Sequence, residues 1–133
     1  MRRPEQALAI AAAQYLRLAL RPPTVWFAID HGAGRMAPAA AGLLKARGGR
    51  RGVPDILVMH PDGMLTAVLG VELKAGKGRA SAEQGAMAAA FDLANAHYIF
   101  CRSLEEVEGA VVTAGIPLFA TVGARGSIRR FAA

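Results

Sequence analysis

Residues 51–74 read RGVPDILVMHPDGMLTAVLGVELK. Asp55–His60 is an apolar run opened by Pro54, and Leu65–Lys74 is a second one, so both read as strands. Pro61-Asp62-Gly63 is a turn signal between them, and the whole stretch predicts a hairpin. Side chains alternate along a strand, so Glu72 and Lys74 share one face, while Val71 and Leu73 face the core on the other. A carboxylate and an ammonium on an otherwise apolar sheet carry a desolvation cost that needs a reason. One reason is phosphodiester hydrolysis. Asp55 and Glu72 offer hard oxygen ligands to Mg²⁺, which takes few carboxylates and keeps several waters. Such an ion polarises the phosphate and acidifies a water. Lys74 would orient that water or stabilise charge on the phosphorus. The other reason is bland: a Glu72–Lys74 surface pair on an edge strand, with Asp55 as a strand-start residue after Pro54.

Outward from this stretch, the periodicity predicts a helix over Pro4–Leu20, with Leu8, Ala12, Tyr15, Leu16 and Ala19 on one stripe. Pro4 and Glu5 suit its first turn, and Arg21-Pro22-Pro23 ends it. Thr24–Ile29 predicts a short strand, residues 30–35 a Gly-rich loop, and Met36–Arg47 a helix stopped by Gly48-Gly49. After Lys74 come a basic loop (Ala75–Ala80), a helix over Ser81–Asn95, an apolar strand over Ala96–Arg102, and a helix opened by the capping-box pattern Ser103-x-x-Glu106. Leu118–Val122 reads as a final strand and residues 127–133 as a fraying end. This order predicts a single mixed α/β domain over residues 1–133, with a central sheet flanked by helices.

With 133 residues and 53% apolar content, the chain suits one globular domain. Sixteen Lys and Arg against ten Asp and Glu leave a formal charge of +6, which favours a polyanionic partner such as nucleic acid or an anionic membrane surface. Cys101 is the only cysteine and excludes an internal disulfide; it reads as a buried thiol. No window approaches the length of a membrane span and the N-terminus lacks a signal-peptide pattern, so the expectation is a cytoplasmic protein.

The runs Arg51-Gly52-Val53-Pro54-Asp55 and Val71-Glu72-Leu73-Lys74-Ala75-Gly76-Lys77-Gly78-Arg79-Ala80-Ser81-Ala82-Glu83-Gln84 resemble the VRR-NUC (virus-type replication-repair nuclease) domain of the PD-(D/E)xK superfamily. The resemblance extends to the helix carrying Glu5 and covers residues from about Glu5 to Val112. It departs in the loop His31–Arg35, which is richer in Asn in many members. What it implies is a restriction-endonuclease-like fold and Mg²⁺- or Mn²⁺-dependent cleavage of DNA. It implies Glu5 as a further metal ligand beside Asp55 and Glu72, and Gln84 as a catalytic residue beside Asp55, Glu72 and Lys74. Stand-alone members are homodimers acting on branched DNA such as Holliday junctions, which makes this chain, by resemblance, a bacterial or phage-type resolvase. Two rival readings keep the same charge: a DNA-binding module with an inactive site, and a less selective defence or toxin-type nuclease.

Several of these residues have a second reading. Glu5 compensates a helix dipole in any first turn, and Ser81-x-x-Gln84 is itself a capping box. Lys77 and Arg79 flank Lys74, and Lys45, Arg47, Arg50 and Arg51 precede Asp55. With Arg35 they are the expected DNA-phosphate contacts. Gly48, Gly49 and Gly52 are expected to let the backbone approach DNA. His31 is more often a surface group than a base, and His60 and His97 read as structural.

Overall fold

A computed structural model describes residues 3–29 and 37–131; Arg35 and His31 lie outside the described residues. The chain is mixed α/β. Its elements are α1 (Arg3–Ala19), β1 (Val25–Ala28), α2 (Pro38–Ala46), β2 (Ile56–Asp62), β3 (Leu65–Leu73), α3 (Ala82–Leu93), β4 (His97–Cys101), α4 (Leu104–Thr113), β5 (Ala120–Val122) and β6 (Ile128–Arg130). The central sheet runs β1-β2-β3-β4. Its first three strands are antiparallel, and β4 joins β3 in parallel, because α3 carries the chain back between them.

The hairpin forms, but its turn lies further on than Pro61-Asp62-Gly63. The ladder runs to Asp62↔Leu65, so Gly63 and Met64 make the connection, with Gly63 at φ 63°. Proline is tolerated here because β1 ends at Val25↔Met59. Beyond that pair β2 has no strand partner on that side among the described residues, and the missing Pro61 amide removes no bond from the sheet.

One face of the sheet carries the core. Val58, Leu69, Val71, Leu73 and Cys101 pack with Ala12, Tyr15 and Leu16 of α1 and Val107 and Val111 of α4, all essentially solvent-free. The α1 stripe is the one its period requires. Trp26 packs against this cluster, and the Cys101 thiol is buried within it and pushed up to about 12 by that burial. Residues 127–131 do not simply fray. Ile128–Arg130 pairs with β5, closed by a turn over Ala124–Gly126, and Phe131 donates its amide to the Phe119 carbonyl at 3.0 Å. Glu108 ties this small sheet to the body: its Oε2 accepts from the Val122 amide at 2.7 Å and from the Tyr15 hydroxyl at 3.2 Å. Burial and the Glu108 charge keep the Tyr15 proton in place well above the ordinary tyrosine range.

Ser103 caps α4 by accepting from the Glu106 amide at 3.2 Å, but only half the expected box forms, since the Glu106 carboxylate meets the Ser103 hydroxyl instead of its amide. At α3 the box is complete. Among the described residues, no helix is long and apolar enough to cross a membrane.

Candidate active site

The opposite face of the sheet, under α3, carries the polar residues. β2 and β3 pair as Ile56↔Val71. One further step of that register sets Asp55 across from Glu72, and opposed residues of an antiparallel pair project to the same side. The Asp55 carboxylate is held there because its Oδ2 accepts from the Leu73 amide at 2.7 Å. Glu72 is only 5% exposed, so it is no half of a surface ion pair. Burial first, and then the Asp55 charge, push its carboxyl up to about 8, with Lys74 pulling in the other direction. Lys74 projects from the same face, at the strand end where its amide donates to the Cys101 carbonyl at 3.0 Å.

Gln84 completes the expected capping box and also reaches Glu72. Its Oε1 accepts from the Ser81 amide at 3.0 Å, which completes the capping box. That bond fixes which way the side-chain amide points, and its Nε2 donates to Glu72 Oε1 at 2.7 Å. A helix cap thus supplies a donor to a buried carboxylate. Glu5, in the first turn of α1, and Lys74 both approach the loop at Gly78. A side chain at Gly78 would begin 3.8 Å from Lys74 Cδ and 3.9 Å from Glu5 Oε1, in ordinary contact with both.

Tyr98 belongs to the site, although in sequence its strand reads as uniformly apolar. Its hydroxyl donates to the Gly52 carbonyl at 2.8 Å and lies 3.4 Å from Glu72 Oε2. Its ring is pinned edge-on by Phe91 and tilted against Phe100, both with centroids 5.3 Å away. Burial and the nearby Glu72 and Asp55 charges keep the hydroxyl protonated well above its ordinary range, so it stays a donor. The signal that could have found it is chemical: a tyrosine in a half-buried strand needs a partner for its hydroxyl.

The basic residues surround this pair in two loops. Lys77 and Arg79 are exposed on the loop after β3, and Arg50 and Arg51 are exposed on the loop before Asp55. Lys45, Arg50 and Arg51 line a groove of about 980 Å³ between α2 and α3 that ends beside Asp55, at Gly52 and Val53; Arg47 caps α2 outside it. Arg51 also approaches Glu83 at 3.8 Å, an exposed pair that leaves it largely available. Two of the three glycines before Asp55 are required by packing within the chain. Gly49 is pressed against the Leu44 side chain, and a side chain on Gly52 would overlap the Glu83 backbone carbonyl at the start of α3. Only Gly48 of the three has open space around it.

Gly52 also sits at φ +84°. Gly52→Ala is expected to cost about 2–4 kcal/mol, through left-handed backbone and overpacking together. Gly48→Ala, at φ +91° with nothing nearby, carries the backbone part alone. Denaturant midpoints that are equal for the two variants would show that the Gly52 packing contributes nothing.

The donor set suits a hard divalent cation in one respect. Two carboxylates face each other, one of them buried and resisting ionisation, and Mg²⁺ commonly takes one or two carboxylates plus water. Among the described residues, no three of His, Cys, Asp and Glu are grouped to hold a metal ion. No family model matches the chain, and no curated protein and no solved structure is significantly similar to it.

Proposed function

We propose that this chain is a divalent-metal-dependent DNA endonuclease of the VRR-NUC type, built on a restriction-endonuclease-like sheet. The observation that carries this reading is the buried Glu72 facing Asp55, with Lys74 on the same face and Gln84 bonded to Glu72. A buried carboxylate pair costs folding energy unless a cation neutralises it. Asp55 and Glu72 would hold Mg²⁺ or Mn²⁺, whose chemistry is to polarise the phosphate and to acidify a water. Asp55 is kept in place by the Leu73 amide, and Glu72 by Gln84 and Tyr98, so each carboxyl group has less freedom to lose when a cation binds. Lys74 supplies the positive charge on the same face and stabilises charge gathered on the phosphate oxygens. The +6 net charge and the two basic loops favour DNA as the substrate, the loops gripping the backbone on either side of the acids.

The substrate is, on this reading, branched DNA such as a Holliday junction, and the active unit a homodimer, because cutting two strands symmetrically takes two sites. The test is cleavage of a synthetic junction, a flap and a plain duplex with Mg²⁺ or Mn²⁺. Preferential, metal-dependent cutting of the junction by the wild-type protein is expected, and sedimentation should show a dimer under those conditions. Equal cutting of all three marks a less selective nuclease. Binding without cutting marks a DNA-binding module with an inactive site, and the enzyme reading fails.

A further inference from the structure

Arg102 lies just beyond β4 and has no part in the site as described so far. Its guanidinium donates from Nη1 to the Gly76 carbonyl at 2.8 Å and from Nη2 to the Gly78 carbonyl at 2.6 Å. The side chain thereby grips two backbone carbonyls of the loop that follows Lys74. Among the described residues, that loop has little else in its middle. Its internal turn is one bond, from the Gly78 amide to the Ala75 carbonyl at 3.2 Å, and Gly76 sits at φ +56°. Its ends are fixed by the Lys74 amide on the Cys101 carbonyl and by the Ser81 cap of α3.

We propose that Arg102 is a positioning residue: its fork on the Gly76 and Gly78 carbonyls presets the loop that aims Lys77 and Arg79 at a nucleic-acid backbone. This inference rests on the DNA-directed reading of the site. Lys77 lies between the two gripped carbonyls, so its backbone is held on both sides while its side chain is exposed. Gly78, gripped by the same fork, also lies beside Lys74 and Glu5. A guanidinium is needed for this. Its planar fork offers several N–H groups in fixed directions, whereas an ammonium is a single point that cannot hold two carbonyls in the same way. An ordered loop has less conformational freedom to lose when it binds.

The experiment compares Arg102→Lys and Arg102→Ala with the wild-type protein, using metal-free binding of a labelled DNA junction and hydrogen exchange of the free protein. If Arg102 presets the loop, both variants weaken DNA binding on the order of tenfold, Lys nearly as much as Ala. Exchange then accelerates at the amides of residues 76–80 in both, and not in β3 or α4. If Lys restores wild-type affinity, Arg102 acts only as a positive charge and the proposal is overturned. Unchanged exchange over 76–80 overturns it as well. Wild-type protein that fails to bind DNA at all would remove the reading beneath the proposal, and exchange alone would then decide whether the fork orders the loop.

Discussion

Asp55→Asn is expected to lower metal-dependent DNA cleavage by roughly a thousandfold while leaving the fold intact. The first part follows from the loss of one of two opposed carboxylates. Replacing a charged ligand by a neutral amide removes several kcal/mol of cation binding and charge stabilisation, and each ~1.4 kcal/mol is a factor of ten in rate. The second part follows from what Asp55 does in the fold. Its Oδ2 accepts from the Leu73 amide at 2.7 Å, and an asparagine oxygen can accept the same bond. Asp55→Ala is a poorer test, because it leaves that amide without its acceptor at a cost of about 1–3 kcal/mol. Single-turnover cleavage and thermal unfolding of the same preparation check both parts. Residual activity within tenfold of wild type would remove Asp55 from the catalytic set.

The second large effect is on stability against pH. The Glu72 carboxyl is pushed from 4.5 to about 8 by burial and by Asp55. Between those values the folded protein keeps a proton that the unfolded chain has released. The stability contributed by protonated Glu72 is therefore fully present below about 4.5 and is lost as pH rises through about 8. The loss is on the order of a few kcal/mol, since a tenfold change in proton affinity is worth about 1.4 kcal/mol. Metal-free protein should thus melt at a lower temperature at pH 8 than at pH 6, and Glu72→Gln should flatten that slope. Asp55→Asn should flatten it too, because one of the causes that raise Glu72 is gone, so the variant with the worst cleavage becomes the more stable metal-free protein at alkaline pH. A divalent cation that takes the place of the proton should stabilise wild type more at pH 8 than at pH 6. Identical pH slopes for wild type and Glu72→Gln would show that Glu72 ionises normally.

These two effects share one cause, the register of the β2–β3 hairpin. A slip of one residue would turn Glu72 and Lys74 into the core and expose Val71 and Leu73. The hydrophobic pattern forbids that slip, which is why residues 51–74 by themselves reveal the face that carries the candidate chemistry.

Local pattern also reached the element order, the α1 stripe, the Ser81 and Ser103 caps and the parity of Glu72 and Lys74. Each of these depends on residues a few positions apart, where period and capping chemistry decide. What the sequence left open depends on contacts between distant segments. The extra length of β2 through Pro61 follows from where β1 stops, and the β6 pairing follows from the docking of β5 on α1 and α4. Gly52 reads in sequence as a residue that lets the backbone approach DNA, and its close contact with the start of α3 shows only in the packed structure. Tyr98 and Arg102 show no function in a local window, because their partners lie on loops 20 or more positions away. The sequence alone determined an α/β chain with Asp55, Glu72 and Lys74 poised at one end of a hairpin, since strand alternation and register act over short range. Only the tertiary structure decided that Glu72 is buried and that Gln84 and Tyr98 reach it, because burial and long-range hydrogen bonds exist only once the layers have packed.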